Sequence, residues 1–286
     1  MRAGIFPVVL EITPPRRRSE DVLLRRARRI RAAAAVNVIQ RSDRLSSLEA
    51  SAILMARGLE PVWHLANRGR SGRELRRDVE RASTLGLRGV LCIRGDHRAV
   101  DREDTPRIRQ VVELVRSQIP DALIGVTMNQ YLPKHRVLRN LLPKVRAGAR
   151  FIQAQPVFGL ESFLSLASEV KERVPDVWIL PMLMPLLSTV AADRLQARTG
   201  VRIPPQLLSR LARGGESSGW EMFRESLAAL YESPLADGVA LMTLELDPDD
   251  RLVARLESAL REVGLSEGVP NSASTAPRNA SSAGLL

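Results

Sequence analysis

The chain has 286 residues, 44% of them apolar and 26% charged, with 18 Gly and 18 Pro. That length buries a full core, as one large α/β domain or two small ones. No apolar run reaches the roughly 18 residues of a membrane span, and the single cysteine, Cys92, excludes an internal disulfide and a multi-cysteine metal centre. The formal net charge of +11 would suit a nucleic acid. Against that, only three of the 43 basic residues are lysine (Lys134, Lys144, Lys171), and the arginines are interleaved with Asp and Glu. Aromatics make up 3%, which leaves few stacking platforms for single strands. The dense run Arg16 to Arg31 reads as the solvated face of a helix. Neither a nucleic acid nor a membrane is expected as a partner, whereas anionic metabolites would be attracted. Glu11 and Pro14-Pro15 follow the first apolar run too closely for a secretory signal, so a cytoplasmic location is expected.

In chain order, short β-branched runs alternate with amphipathic ones. Strands are expected at 6–12, 35–39, 61–65, 90–93, 123–128, 151–155, 178–182 and 238–243. Helices are expected at 20–32, 46–57, 72–85, 106–118, 136–147, 160–174, 189–199 and 249–263, with two more at 205–212 and 218–231 before the last strand. Ser71, with Glu74 three residues on, has the form of a capping box, and Asp104 is a second candidate N-cap. Gly58, Gly86, Gly148 and Gly264 each follow a helical run, where a left-handed cap favours glycine. Alternating β–α units over 1–265 predict a single (β/α)₈ TIM barrel, with a doubly wound sheet as the alternative. The Ser-, Ala- and Asn-rich tail over 266–286 is expected to be disordered.

In such a barrel the chemistry sits at the C-terminal ends of the strands. The polar residues there are Glu11 and Thr13 on the first strand, Asn37 and Gln40 on the second, and His64 on the third. Arg94, Gly95, Asp96 and His97 follow the fourth, Asn129, Tyr131 and His135 the fifth, and Gln153 and Gln155 lie on the sixth. Glu11 is a carboxyl within a buried strand. It needs either an arginine partner or a raised pKa, and the latter would let it donate a proton near neutrality. His64 reads equally as a satisfied core imidazole, Asp96 as a loop N-cap, and Gln155 as a strand-end backbone partner. No GxGxxG, P-loop or GxSxG is present, and no close histidine pair supports a metal site.

These rim residues resemble a known family. Glu11-Ile12-Thr13-Pro14-Pro15 is similar to the first-strand acidic motif of methylenetetrahydrofolate reductases, and Pro61-Val62-Trp63-His64-Leu65 to their third strand. GLRGVLCIRGD (86–96) resembles their fourth strand and AGARFIQAQPVF (147–158) their sixth. Leu180 onwards with Gly200–Pro204, and Thr243-Leu244, resemble the seventh and eighth units, so the likeness runs in order over about residues 5–265. The resemblance implies reduction of 5,10-methylenetetrahydrofolate to 5-methyltetrahydrofolate by NADH or NADPH, through FAD or directly. It implies Glu11 as general acid, Asp96 at the pterin and beside the flavin, and Gln155 on the pterin. His64, Ile93, Arg94, Gly95, Asp96, Tyr131, His135 and Lys144 match its FAD-holding positions. The sequence departs from the family at Ile39, where flavin-containing members carry threonine, and at Thr189, where many carry an aromatic. It also departs in the shorter segment between His135 and Lys144. Glu11 and Asp96 are expected to face each other across one cavity. A homo-oligomer is compatible with the resemblance. The alternatives are a folate- or flavin-binding subunit without turnover and a basic RNA-binding barrel.

Overall fold

The computed structural model describes residues 6–95, 100 and 102–266. Eight parallel strands close in sequence order into a barrel, and the doubly wound alternative is discarded. The elements run β1 (Val8–Ile12), α1 (Glu20–Ala27), β2 (Ala33–Val38), α2 (Ser47–Met55), β3 (Pro61–Ala66), α3 (Gly72–Thr84), β4 (Gly89–Ile93) and α4 (Ile108–Gln118). They continue through β5 (Leu123–Met128), α5 (Lys134–Arg146), β6 (Phe151–Pro156), α6 (Leu160–Arg173), β7 (Trp178–Leu183), α7 (Thr189–Thr199), α8 (Pro205–Glu232), β8 (Val239–Leu241) and α9 (Asp250–Glu262). The tail beyond Ser266 lies outside the described residues, as do Asp96 and His97.

Two-residue alternation sorts each strand into an outer and an inner set. The outer set includes Leu10, Ile12, Val36, Val38, Trp63 and Leu65, and it merges with the helices into the main core. The inner set forms its own layer of Val9, Val62, Leu91, Phe151 and Leu180. Gly125 on β5 leaves room for that layer: a Cβ there would lie 2.1 Å from the Phe151 ring. This packed floor closes the barrel beneath the polar residues at the C-terminal mouth.

The helix punctuation is built as expected at most positions. Ser71 and Glu74 form a reciprocal capping box, and Gly58, Gly86, Gly148 and Gly264 all have positive φ. Asp104 is a correction: α4 starts behind Arg107 as N-cap, and Asp104 is held instead by Arg102 at 2.9 Å. The two helices expected before β8 are continuous apart from a kink at Gly215, whose φ of 55° and ψ of −140° break the helical path.

The basic run at the N-terminus is a second correction. Arg26 is buried rather than solvated. Its guanidinium takes Asp247 in a fork, at 2.9 and 2.5 Å, and donates to the Thr13 carbonyl at 2.7 Å. A planar donor fork fits this bidentate arrangement. The contact ties α1 to the end of β1 and to the β8–α9 loop, beside the mouth.

Candidate active site

Above the apolar floor, inward alternation brings Glu11 of β1, Asn37 of β2, His64 of β3 and Gln153 of β6 into the barrel. Gln153 Nε2 donates to Glu11 Oε2 at 3.1 Å, and Asn37 Nδ2 donates to Gln153 Oε1 at 2.5 Å. This chain crosses the barrel and leaves two atoms over: Asn37 Oδ1 and His64 Nε2 are buried without a hydrogen-bond partner. Buried polar atoms are nearly always paired, so each marks a place for a ligand or a water.

Glu11 keeps only the surface that faces the cavity, and protein surrounds the rest. Burial raises its pKa from 4.5 to about 7, with the Gln153 hydrogen bond pulling slightly the other way. Among the described residues no arginine or lysine pairs with it, so the structural reading of a buried ion pair finds no support. His64 is shifted in the opposite sense. Burial lowers its pKa from 6.5 to about 3, so the ring is neutral at physiological pH.

The two shifts load stability against pH in opposite directions. The unfolded chain protonates His64 below 6.5 while the folded protein refuses the proton, so stability falls as pH drops from 6.5 towards 3. Folded Glu11 holds its proton up to about 7 while the unfolded chain releases it above 4.5, so stability falls as pH rises between those values. Over pH 4.5 to 6.5 the two largely offset. His64→Met is therefore expected to grow more stable on acidification, by roughly 2 kcal/mol across that window relative to the parent. Urea denaturation at several pH values reads this out, and parallel curves for the two proteins would refute it.

A cavity of about 560 Å³ opens beside Glu11, between the ends of β1 and β8, helices α1 and α7 and the β8–α9 loop. Its size is ordinary for an organic ligand. One wall is cationic, with Arg41, Arg194 and Arg198. Among the described residues Arg194 and Arg198 have no carboxylate partner, while Arg26 and Arg29 in the same wall are occupied by Asp247 and Asp250. Val190 and Leu246 stand in the lining while 55% and 41% exposed, an apolar lip in an otherwise charged rim.

The remaining expected site residues are placed unequally. Gln155 continues the inward alternation of β6; Gln130 clasps its backbone N–H and carbonyl at 3.1 and 2.8 Å, and its side chain has no partner among the described residues. Ile93 is a partly buried inner residue at the end of β4. Arg94 is exposed, and Gly95 turns the chain with φ +90°, where a Cβ would meet that of Ala66 at 2.9 Å. Tyr131 is a brace: its hydroxyl donates to the Pro156 carbonyl at 2.5 Å, its ring packs near Met184 and Leu186, and burial pushes its pKa up to about 12. His135 is exposed in the first turn of α5. Lys144 stands in the last turn of the same helix, buried and within electrostatic reach of the Cys92 thiol on β4; burial lowers its pKa. Asp96, expected opposite Glu11, lies outside the described residues.

Gln153 is among the strand-end polar residues of the sequence reading but receives no role there. The signal was present: it sits two residues before Gln155, so alternation sends both side chains to the same face. The cationic wall carried no such signal, since Arg41 and Arg194 are separated by most of the chain.

A closed parallel barrel with a buried carboxyl at its C-terminal mouth and a mixed cationic and apolar cavity beside it defines a TIM-barrel protein with a ligand-sized candidate site. The family profile described as methylenetetrahydrofolate reductase matches residues 1–253. The chain belongs to the methylenetetrahydrofolate reductase family. It is 29% identical over 186 residues to "Methylenetetrahydrofolate reductase 2" of Saccharomyces cerevisiae, covering 59% of this chain and 31% of that one. It is 25% identical over 175 residues to "Probable methylenetetrahydrofolate reductase (NADPH)" of Caenorhabditis elegans, covering 58% and 26%. The chain thus aligns with a third or less of the length of these relatives. Among solved structures, an uncharacterized Clostridium thermocellum protein that binds two copies of 5-methyl-5,6,7,8-tetrahydrofolic acid superposes with a TM-score of 0.64 at 14% identity, over 92% of this chain and 94% of that one. At that identity the likeness is one of fold.

Proposed function

We propose that this chain reduces 5,10-methylenetetrahydrofolate to 5-methyltetrahydrofolate with a reduced nicotinamide as electron donor. The observation that carries the reading is Glu11: a carboxyl whose pKa of about 7 leaves it half-protonated near neutrality, beside a cavity of ligand size, in a chain of this family. Protonated Glu11 gives its proton to N10 of the substrate. The imidazolidine ring opens to a 5-iminium cation, whose methylene carbon accepts hydride. Glu11 is then an anion, and the Gln153 amide donor stabilises it until it is reprotonated. A general acid works best with a pKa near the operating pH, and burial supplies that here.

The rest of the cavity suits such a substrate. Outside that cavity's lining, the unpartnered side chain of Gln155 on β6 would offer an amide to the pterin edge. Arg194 and Arg198 offer guanidinium groups to the carboxylates of the glutamate tail, and Val190 and Leu246 offer an apolar lip to its aryl ring. A bound FAD, or the nicotinamide itself, would supply the hydride. The neutral, unpartnered Nε2 of His64 and the inward Ile93 are the described residues that fit a flavin or nicotinamide ring at the mouth.

The test is a visible spectrum followed by an assay on the same sample. Purified protein that is yellow and consumes NADH or NADPH only when methylenetetrahydrofolate is added follows the flavin route. A colourless sample with the same turnover follows the direct one. Absence of turnover with either nicotinamide, with or without added FAD, overturns the proposal. It would leave the second reading, a folate-binding barrel without chemistry, to which the likeness to the C. thermocellum folate binder lends support.

A further inference from the structure

Glu11 is held by an amide that is itself held by a second amide, and the second ends in an unpaired atom. Gln153 donates from Nε2 to Glu11 and accepts at Oε1 from Asn37. Asn37 is fully buried, and its Oδ1 has no partner. An amide oxygen and its NH2 group are nearly equal in size, so a half-turn about the terminal bond exchanges acceptor for donor without a change of shape. An ionised carboxylate only accepts, whereas a protonated carboxyl also has an O–H to give.

In the observed arrangement every donor points towards Glu11, which suits the anion. Once Glu11 takes up a proton, its O–H would confront the Gln153 NH2, donor against donor, wherever the acid proton lies on Oε2. Turning Gln153 removes the conflict. Its Oε1 then accepts from Glu11, and its Nε2 points at Asn37. Asn37 meets that donor with Oδ1 if it turns as well, and nothing prevents this, because Oδ1 is bonded to nothing in the present arrangement. Each arrangement keeps two hydrogen bonds and leaves one Asn37 group unpaired, so their energies lie close together.

We propose that Asn37 and Gln153 form a two-position amide relay, which donates towards Glu11 when it is ionised and reverses as a pair to accept from it when it is protonated. No bond within either amide breaks, and the proton passes only between Glu11 and ligand or solvent. Asn37 is thus a positioning residue that acts through Gln153. The relay deepens the proposed reaction, because a general acid must be partnered both before and after it gives up its proton. The other charged and titratable groups near Glu11 are His64, which burial keeps neutral, and Arg26, Arg29, Arg41, Arg194, Arg198 and Glu245 in the cavity lining.

Neutron diffraction from deuterated crystals, about two pH units on either side of the Glu11 pKa of about 7, distinguishes nitrogen from oxygen in both amides. The expected result is Gln153 Nε2 facing Glu11 on the alkaline side and Oε1 facing it on the acid side, with Asn37 reversed in step. One orientation at both pH values overturns the relay, as does a Gln153 that turns without Asn37. In solution, the side-chain amide resonances of Gln153 and Asn37 are expected to move with the midpoint of the Glu11 carboxyl carbon and to stay level in Glu11→Gln. Resonances that stay level in the parent through that midpoint also overturn it. None of these measurements needs turnover, so a protein with reversing amides and no reductase activity would sink the reaction and leave the relay standing.

Discussion

Glu11→Gln is expected to slow methylenetetrahydrofolate reduction by about 10³-fold, within the range that a positioned general acid contributes. The amide has the size of the acid and keeps a hydrogen-bonding atom for Gln153, but it has no proton to give to N10. Because the active form is the protonated acid, parent activity should fall about tenfold per pH unit above 7 as Glu11 ionises, and the small residual activity of the variant should lack that fall. Stability moves the other way. Above pH 7 the buried carboxylate costs about 2–3 kcal/mol relative to its unfolded value, a cost absent at pH 4.5. Glu11→Gln should therefore unfold at higher temperature than the parent at pH 8 and at about the same temperature near pH 4.5. Stopped-flow reduction and thermal melts across this range test both halves. A variant that turns over like the parent would remove Glu11 from the chemistry, and one equally or less stable at pH 8 would contradict the burial argument.

Gly125→Ala is expected to destabilise the barrel by about 2–3 kcal/mol. The new methyl carbon would lie 2.1–2.5 Å from three atoms of the Phe151 ring, well inside van der Waals contact. Phe151 is itself buried in the inner layer with Val62 and Leu91, so the ring cannot swing aside into open space. Shortening it should relieve the clash. In the Gly125→Ala/Phe151→Leu pair, alanine should cost less than about 1 kcal/mol more than Phe151→Leu alone, a coupling that a double-mutant cycle reads directly. Additive losses would mean that glycine serves the backbone of β5 rather than the ring. The effect should extend upwards: Gln153 is two residues along β6 from Phe151, so a displaced ring disturbs the Gln153–Glu11 contact and lowers activity further than stability alone explains.

The sequence by itself was enough for the barrel, because its signals are local. Period-two and longer amphipathic runs, together with glycines after helices, placed the eight strands within a few residues and most helices likewise; the first helix ends five residues before its expected limit, the two helices before β8 join into α8, and the short apolar β8 (Val239–Leu241) was still legible as a strand. One boundary error falls where two caps compete. Asp104 lost α4 to Arg107 because the Arg107 backbone N–H donates to the Gln110 side chain at 2.8 Å. The raised pKa of Glu11 was also foreseeable, since a carboxyl on a strand buried on both faces has few ways to be solvated.

Other features belong to closure of the barrel and have no local signature. Arg26 reads as one more cation on a polar helix until Asp247, 221 residues away, arrives beside it. The Glu11–Gln153–Asn37 chain joins three strands with sequence separations of 142 and 116 residues. A linear pattern tells which face a side chain takes. Which distant side chain it meets there depends on shear and closure, and hydrogen-bond partnership and desolvation follow from those.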